Sequence, residues 1–287
     1  MDSMGAWRVP DAIAALPRSL WAHSAEAIAS QRLAGRRVLV LGAGASAFDN
    51  AAVALEAGAA SVTLLARRAA LPRVNPNRWM EFAGYLEHFP DLPDATKWGW
   101  LRHLMAVNQP PPQESWDRCA RHRHFRVVTG APLLAACAEG AEAVLETPQG
   151  AFRGDFVIAA TGLVLDLRAR SELAAIAPHM ARWRDRYTPP PGEEDATLGA
   201  FPYLDPSFAL TGNAEWLGRI RTYGYAAFLS MGCTGGISTL GPAVRRMVAG
   251  IRREIFLRQA PQHEAELLAY SEAELTDTRL AAEEDTP

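Results

Sequence analysis

Lysine is nearly missing from this chain: of its 29 basic residues one, Lys97, is lysine and the other 28 are arginine. Arginine is therefore the default cation, and no arginine marks a site by its type alone. Cysteine is scarce as well. Cys119, Cys137 and Cys233 are odd in number and far apart. That excludes a disulfide framework and a C-x-x-C redox motif, and it suits a reducing, cytoplasmic setting. No apolar run reaches the roughly 20 residues of a membrane span. The start, MDSMGAWRVPD, lacks the charged and apolar regions of a secretory signal. A net charge of −3 offers no electrostatic case for nucleic acid. There is no repeat, no G-x-S-x-G elbow, no Ser-His-Asp arrangement and no paired-carboxylate site, so hydrolase chemistry lacks a nucleophile in context. Cys119, His122 and His124 have no second half with ligand spacing, so no metal site is expected. What the chain does have is apolar material: 49% hydrophobic and 21% charged over 287 residues, enough for one large domain or two.

The informative stretch is Arg36 to Arg68, RRVLVLGAGASAFDNAAVALEAGAASVTLLARR. It reads as a strand, a glycine turn, a helix and a second strand. Gly42, Gly44 and Ala47 fill the small-residue positions of G-x-G-x-x-G/A, directly after the apolar run Val38 to Leu41. The first glycine allows the turn, the second lets the backbone approach a pyrophosphate, and the third small residue lets the helix lie on the sheet. The helix opening near Ser46 points free N–H groups at the phosphates, with the Ser46 hydroxyl as a further donor. The second strand, about Ser61 to Leu65, ends on Ala66, Arg67 and Arg68. An NAD site puts Asp or Glu there for the ribose 2′-hydroxyl; two guanidiniums and no carboxylate suit the 2′-phosphate of NADP. The bland alternative is arginine's abundance in this chain.

Along the rest of the chain, residues 1–30 read as a lead-in, and residues 31–165 as the nucleotide-binding domain. Residues 69–124 form an insertion rich in aromatics, with helices expected at about Asn77–His88 and Thr96–Val107 and a stiff NQPPPQ loop after them. Its Trp and Arg residues could line a substrate pocket; the favoured expectation is a helical lid whose aromatics pack on the sheet. Phe125–Val128 reads as a strand. Leu133–Ala138, Ala143–Thr147 and Ala151–Arg153 follow as short strands running into Asp155–Ala160, a β-meander where an ordinary crossover is a helix. Phe208–Thr211 reads as a strand. A helix from Gly241 carries Val244, Met247, Val248, Ile251 and Ile255 on one face and five arginines; docking on its own core is expected over membrane contact. Residues 261–287 form an acidic tail, frayed or disordered.

The order of motifs carries a resemblance: His23-Ser24, GAGASAFD, Arg67-Arg68, a meander, DFVIAATG, then YAAFLSMGCTGGIS before a helix. Over roughly residues 1–258 this resembles the flavin-containing monooxygenases and related Baeyer–Villiger-type enzymes. The resemblance implies an α/β fold: a Rossmann-like three-layer NAD(P)-binding domain with a β-meander crossover, plus the C-terminal remnant of a split FAD-binding domain in residues 166–260. It implies NADP(H) contacts from Gly42, Ala43, Gly44, Ala45, Ser46, Ala47, Arg67 and Arg68. It makes Thr161-Gly162 the hinge toward the FAD domain, and Gly235, Gly236 and Ile237 the approach to the isoalloxazine. His23-Ser24 ends the family's fingerprint, with Pro17 and Ser19 standing where its Phe and Gly belong. The family's first G-x-G-x-x-G, the FAD turn, has no counterpart before residue 36, so the FAD site in this chain is incomplete. The implied activity is hydride transfer from NADPH to FAD and oxygen transfer to a small organic substrate, with no catalytic side chain identified. The competing expectation is an NADP-binding module that depends on a missing FAD-binding segment, or a homo-oligomer; a disulfide or ferredoxin reductase is a third.

Overall fold

The computed structural model describes residues 5–166, 168, 171–232 and 235–275. Cys233 and residues 276–287 of the expected tail lie outside the described residues. In chain order the strands are β1 (Gly5–Trp7), β2 (Trp21–His23), β3 (Arg37–Leu41), β4 (Ser61–Leu65), β5 (Phe125–Val128), β6 (Ala135–Glu139), β7 (Glu142–Thr147), β8 (Gly150–Gly154), β9 (Phe156–Ala159) and β10 (Leu163–Leu165). The helices are α1 (Asp11–Ala14), α2 (Ala45–Glu56), α3 (Pro76–Trp79), α4 (Ala83–His88), α5 (Asp94–Val107), α6 (Gln113–Ala120), α7 (Ser171–Ala174), α8 (Ala196–Gly199), α9 (Phe228–Met231) and α10 (Ile237–Ala269).

Five parallel strands form the central sheet in the order β2-β9-β3-β4-β5. Val38–Leu41 of β3 and all of β9 are apolar because both faces of the sheet are covered. Val38 and Val40 face Phe48, Ala51 and Ala52 of α2, together with Cys119 of α6. Leu39 and Leu41 face Leu145 of the antiparallel meander β6-β7-β8, with Ile13 and Leu16 beside it. Helices, parallel sheet and meander thus make three layers. Gly154 lets the meander close on the sheet: a Cβ there would lie 2.6 Å from the Leu39 side chain. The acid of DFVIAATG clamps the same corner. Asp155 accepts from the Arg37 backbone N–H at 2.8 Å and from its guanidinium at 2.6 Å, which holds this carboxyl below the usual carboxylate range.

Four regions depart from the sequence reading. Residues 1–30 are more than a lead-in, since Trp21–His23 is an edge strand of the sheet. The aromatic insertion does not pack as a whole on the sheet. Of its helices α6 packs on α2 over one face of the sheet, with Trp116 against Phe48 at 5.6 Å. Tyr85, Phe89, Trp98 and Leu101 of α4 and α5 and the turn after α4 pack instead with Trp183, Phe201 and Phe228 of the C-terminal part. Between β10 and α9 that part is irregular: the expected strand Phe208–Thr211 is reduced to isolated bridges, Leu204 with Leu210 and Ala209 with Arg221.

The fourth departure is α10. It continues through Pro261 to Ala269, 33 residues in all, and buries Ala243 alone. It docks through small residues and ion pairs, Arg246 to Asp91 at 2.9 Å and Glu254 to Arg221 at 3.0 Å. Of the face expected to be buried, Met247 is half-buried against the Phe208 and Met231 cluster, while Val244, Val248, Ile251 and Ile255 are exposed. No described helix is long and apolar enough to cross a membrane.

Candidate functional site

A cleft of about 520 Å³ opens at the C-terminal ends of the parallel strands. Leu41 at the end of β3, Leu65 at the end of β4 and Ala160 after β9 form its floor. Chain order reverses at β3, which lies between β9 and β4. Ligands of open α/β sheets bind at such a switch point.

The glycine turn makes one wall. Gly42 has φ +128°, and a Cβ on it would overlap the Ala160 carbonyl, with the carbonyl carbon at 2.9 Å. Only glycine lets β3 turn under the end of β9. Gly44 is different. Its φ is −84°, an ordinary value, and nothing within 4 Å would meet a Cβ there. No protein atom requires glycine at this position, so the space above it is open to a ligand. Gly44 caps α2, and its carbonyl accepts from Ala47 and Phe48 at 3.0 and 3.3 Å. The N–H groups of Ala45 and Ser46, one residue earlier, have no carbonyl one turn back. Ala47 is fully buried beneath α2.

The cleft brings together Gly42, Ala43, Gly44, Arg67, Arg68, Thr161 and Gly162. Ala45, Ser46 and Ala47 lie on the first turn of α2, outside the lining. Gly235, Gly236 and Ile237 are elsewhere, at the N-terminus of α10, where the Tyr223 hydroxyl donates to the Gly236 carbonyl at 3.1 Å. Ile237 is 94% exposed. The structure therefore joins Gly42–Gly44, Arg67, Arg68, Thr161 and Gly162 in one cleft and leaves Gly235, Gly236 and Ile237 apart.

The two arginines after β4 are not equivalent. Arg68 donates to the Ala106 carbonyl at 3.0 Å and so holds the last turn of α5. Arg67 is exposed and has no hydrogen bond or ion pair among the described residues. Arg8 also lines the cleft, and no Asp or Glu does. Arg8 and Asn108 were missed from the sequence. Asn108 ends α5 with φ +62°, a left-handed residue in the NQPPPQ loop.

Beside Thr161 and Gly162, β1 pairs antiparallel with β10. Arg8 N–H donates to the Gly162 carbonyl at 2.9 Å, and the Thr161 hydroxyl donates to the Arg8 carbonyl. His23 sits behind this joint, 1% exposed, with Trp7 stacked on it at 5.2 Å. Its Nδ1 accepts from the Ala25 N–H at 3.2 Å, so the ring proton is on Nε2, which donates to the Gly162 carbonyl at 3.1 Å. Burial keeps the imidazole below its ordinary range and neutral. His23 braces the β1–β10 joint through the Gly162 carbonyl. Cys119 is buried against the Phe48 carbonyl, and burial pushes its thiol up to about 11. Among the described residues no group of His, Cys, Asp or Glu could hold a metal ion.

No protein-family model matches the chain. An L-lysine 6-monooxygenase from Pseudomonas syringae superimposes with a TM-score of 0.60 at 19% identity, over 87% of this chain and 62% of that one. An ornithine N-hydroxylase from Kutzneria, with reduced FAD, NADP⁺ and L-ornithine, gives 0.55 at 16% identity, over 83% of this chain and 55% of that one. The chain shares the fold of these monooxygenases. In sequence it is similar to an FAD-dependent urate hydroxylase of Xanthomonas campestris, 40% identical over 276 residues. That alignment takes in 94% of this chain and 58% of the relative. The chain thus spans somewhat over half the length of the curated relative it matches.

Proposed function

We propose that this chain is the NADPH-binding part of a flavin-dependent monooxygenase acting on a small organic molecule. The observation that carries the reading is the cleft itself: Gly44 stands open above the N-terminus of α2, with the unpartnered Arg67 beside it and no carboxylate in the lining. A pyrophosphate suits the first feature and a 2′-phosphate the second. The similarity to an FAD-dependent urate hydroxylase supports the flavin half of the reading.

The residues present fit a nicotinamide dinucleotide phosphate. The Gly42–Gly44 backbone and the free N–H groups of Ala45 and Ser46 would hold its pyrophosphate. Arg67 would pair with the 2′-phosphate, while Arg68 keeps α5 closed over the cleft. Arg8, Thr161 and Gly162 would border the nicotinamide side. When bound, the nicotinamide supplies a hydride for a flavin. The role of this chain is orientation and exclusion of water.

FAD fits less fully. Among the described residues there is one parallel sheet, and the triplet Gly235, Gly236 and Ile237 is the segment left for the isoalloxazine. In this reading residues 166–260 complete a flavin site together with an FAD-binding segment or partner. The uncovered apolar face of α10 supports such a neighbour. The second reading, an NADP-binding module without catalysis of its own, draws on the same face.

Calorimetric titration of the whole chain with NADPH and NADH tests the nucleotide assignment. Wild type is expected to prefer NADPH by about 10-fold or more, as one charge-assisted contact allows. Arg67→Ala should erase that preference and leave NADH binding in place. Gly44→Ala should weaken both nucleotides while the melting temperature stays unchanged. Equal affinity of wild type for the two nucleotides would overturn the role of Arg67. Full NADPH affinity in Gly44→Ala would overturn the pyrophosphate site.

A further inference from the structure

Helix α10 leaves the body of the protein part-way along its length. Arg246 holds it to Asp91 at 2.9 Å and Glu254 holds it to Arg221 at 3.0 Å. Beyond Glu254, among the described residues, the side-chain bonds of the helix run within itself. Gln262 donates to Glu266 at 2.8 Å, His263 meets Glu266 at 3.3 Å, and the Phe256 and His263 rings stack at 5.4 Å. From Ile255 to Ala269 the helix projects by about 22 Å at 1.5 Å per residue. A lone helix of this length is marginal in water. Pro261, inside it, removes one bond of its ladder. A helix that persists on those terms calls for a second surface.

Two features say which surface. Phe256, Ala260, His263 and Leu267 recur at intervals of four and three residues, the spacing of a coiled-coil seam, and Tyr270 continues it just past the helix end. Phe256 is 60% and Leu267 73% exposed. This seam lies about a third of a turn round the helix from Val244, Val248, Ile251 and Ile255, so a neighbour on that stripe and a partner on this seam do not compete. The second feature is charge. Residues 245–258 carry five arginines and one glutamate, Glu254, while residues 259–275 carry Glu264, Glu266, Glu272 and Glu274 and no arginine or lysine. Two copies laid parallel would set arginine beside arginine. Laid antiparallel with the crossing at Ala260, they set the basic stretch of each along the acidic stretch of the other.

We propose that residues 252–269 form an arm through which two copies of this chain pair antiparallel, about a two-fold axis at Ala260. A two-fold interface must be complementary to itself, and this segment is so only when one copy is reversed. Ala260 is also the smallest side chain of the seam, which suits the point where two backbones come closest. The pairing is independent of the nucleotide reading, because no residue past Gly162 lines that cleft.

Sedimentation equilibrium on the whole chain tests the pairing. Between about 1 and 200 μM the mass should rise from 31.2 kDa toward twice that value, as a small interface allows. Phe256→Ser/Leu267→Ser should weaken pairing by about 10-fold or more. Its melting temperature in dilute solution should match wild type, because both side chains are exposed. Arg252→Glu/Arg253→Glu and Glu264→Arg/Glu266→Arg should each pair about 10-fold less well alone and pair again when mixed. A chain that stays at 31.2 kDa throughout overturns the proposal and leaves the seam to another partner, such as an FAD-binding segment. A dimer that Phe256→Ser/Leu267→Ser leaves unchanged uses a different surface and overturns it as well. Charge variants that pair alone as wild type does would rule out the antiparallel arrangement.

Discussion

Two helices of this chain follow glycine turns, and they meet opposite fates. Helix α2 has 12 residues and buries six of them, from Ala47 to Leu55, between the sheet and α6. Helix α10 has 33 residues, about 50 Å at 1.5 Å per residue, and buries one. Both carry apolar residues at helical spacing. The difference lies in what the rest of the fold offers them. Around α2 every neighbour is in place: β3, β4 and α6 close on it, and Ala47, Ala51 and Ala54 let the backbones approach. Along α10 only Ala243 and Met247 reach an apolar cluster, the ion pairs of Arg246 and Glu254 hold the helix beyond it, and Val244, Val248, Ile251 and Ile255 stay in solvent. Periodicity reports which residues share a face. It does not report whether anything covers that face.

The contrast can be broken most severely at Phe48. Its ring is fully buried and touches Trp116 and Phe125 at 5.6 and 6.2 Å. Phe48→Ala should cost about 3–5 kcal/mol, measured by urea denaturation. A loss below about 1 kcal/mol would mean that α2 is far more loosely packed than described.

The pH dependence of stability probes the same half of the molecule with a smaller effect. His23 is held neutral by burial, its folded value lying below the ordinary 6.5. In the unfolded chain it takes up a proton first as pH falls. Its contribution is therefore level above about 6.5 and declines below that, until the folded form also protonates. His23→Gln should flatten the decline in stability between about pH 6.5 and 5. An unchanged decline there would show that other groups govern that limb.

The smallest effect is expected on α10. Val248→Ser and Ile251→Ser should each shift stability by no more than about 0.5 kcal/mol, as exposed sites do. A cost of about 2 kcal/mol at either position would show the stripe covered in solution, and the contrast between the helices would vanish.

The glycine turn was legible in advance because its chemistry depends on small residues in a local order. Gly42, Gly44 and Ala47 need no distant partner to identify them. The meander was legible for a similar reason, since short strands and their turns are contiguous in the chain. β2 was missed because three residues, Trp21–His23, are too few to show a period; what makes them a strand is pairing with β9, more than 100 residues away. The aromatic insertion was placed on the wrong neighbour because Trp98 and Trp183 meet across a long stretch of chain, 6.3 Å apart. Arg8 joined the cleft through the β1–β10 pairing, which composition could not suggest. In each case the missing information was long-range contact.

The joint formed by β1 and β10 has a consequence for how this piece of protein can be moved. Gly5 pairs with Leu165 and Trp7 with Leu163, so the chain enters and leaves the sheet at the same doorway. A segment with adjacent ends can be inserted into a host loop without stretching either partner, and it tolerates having its ends joined and new ones opened elsewhere. The stretch from Val9 to Gly162 has its two cut edges side by side, and what ties it to the rest of the chain is the packing of α4 and α5 on Trp183, Phe201 and Phe228.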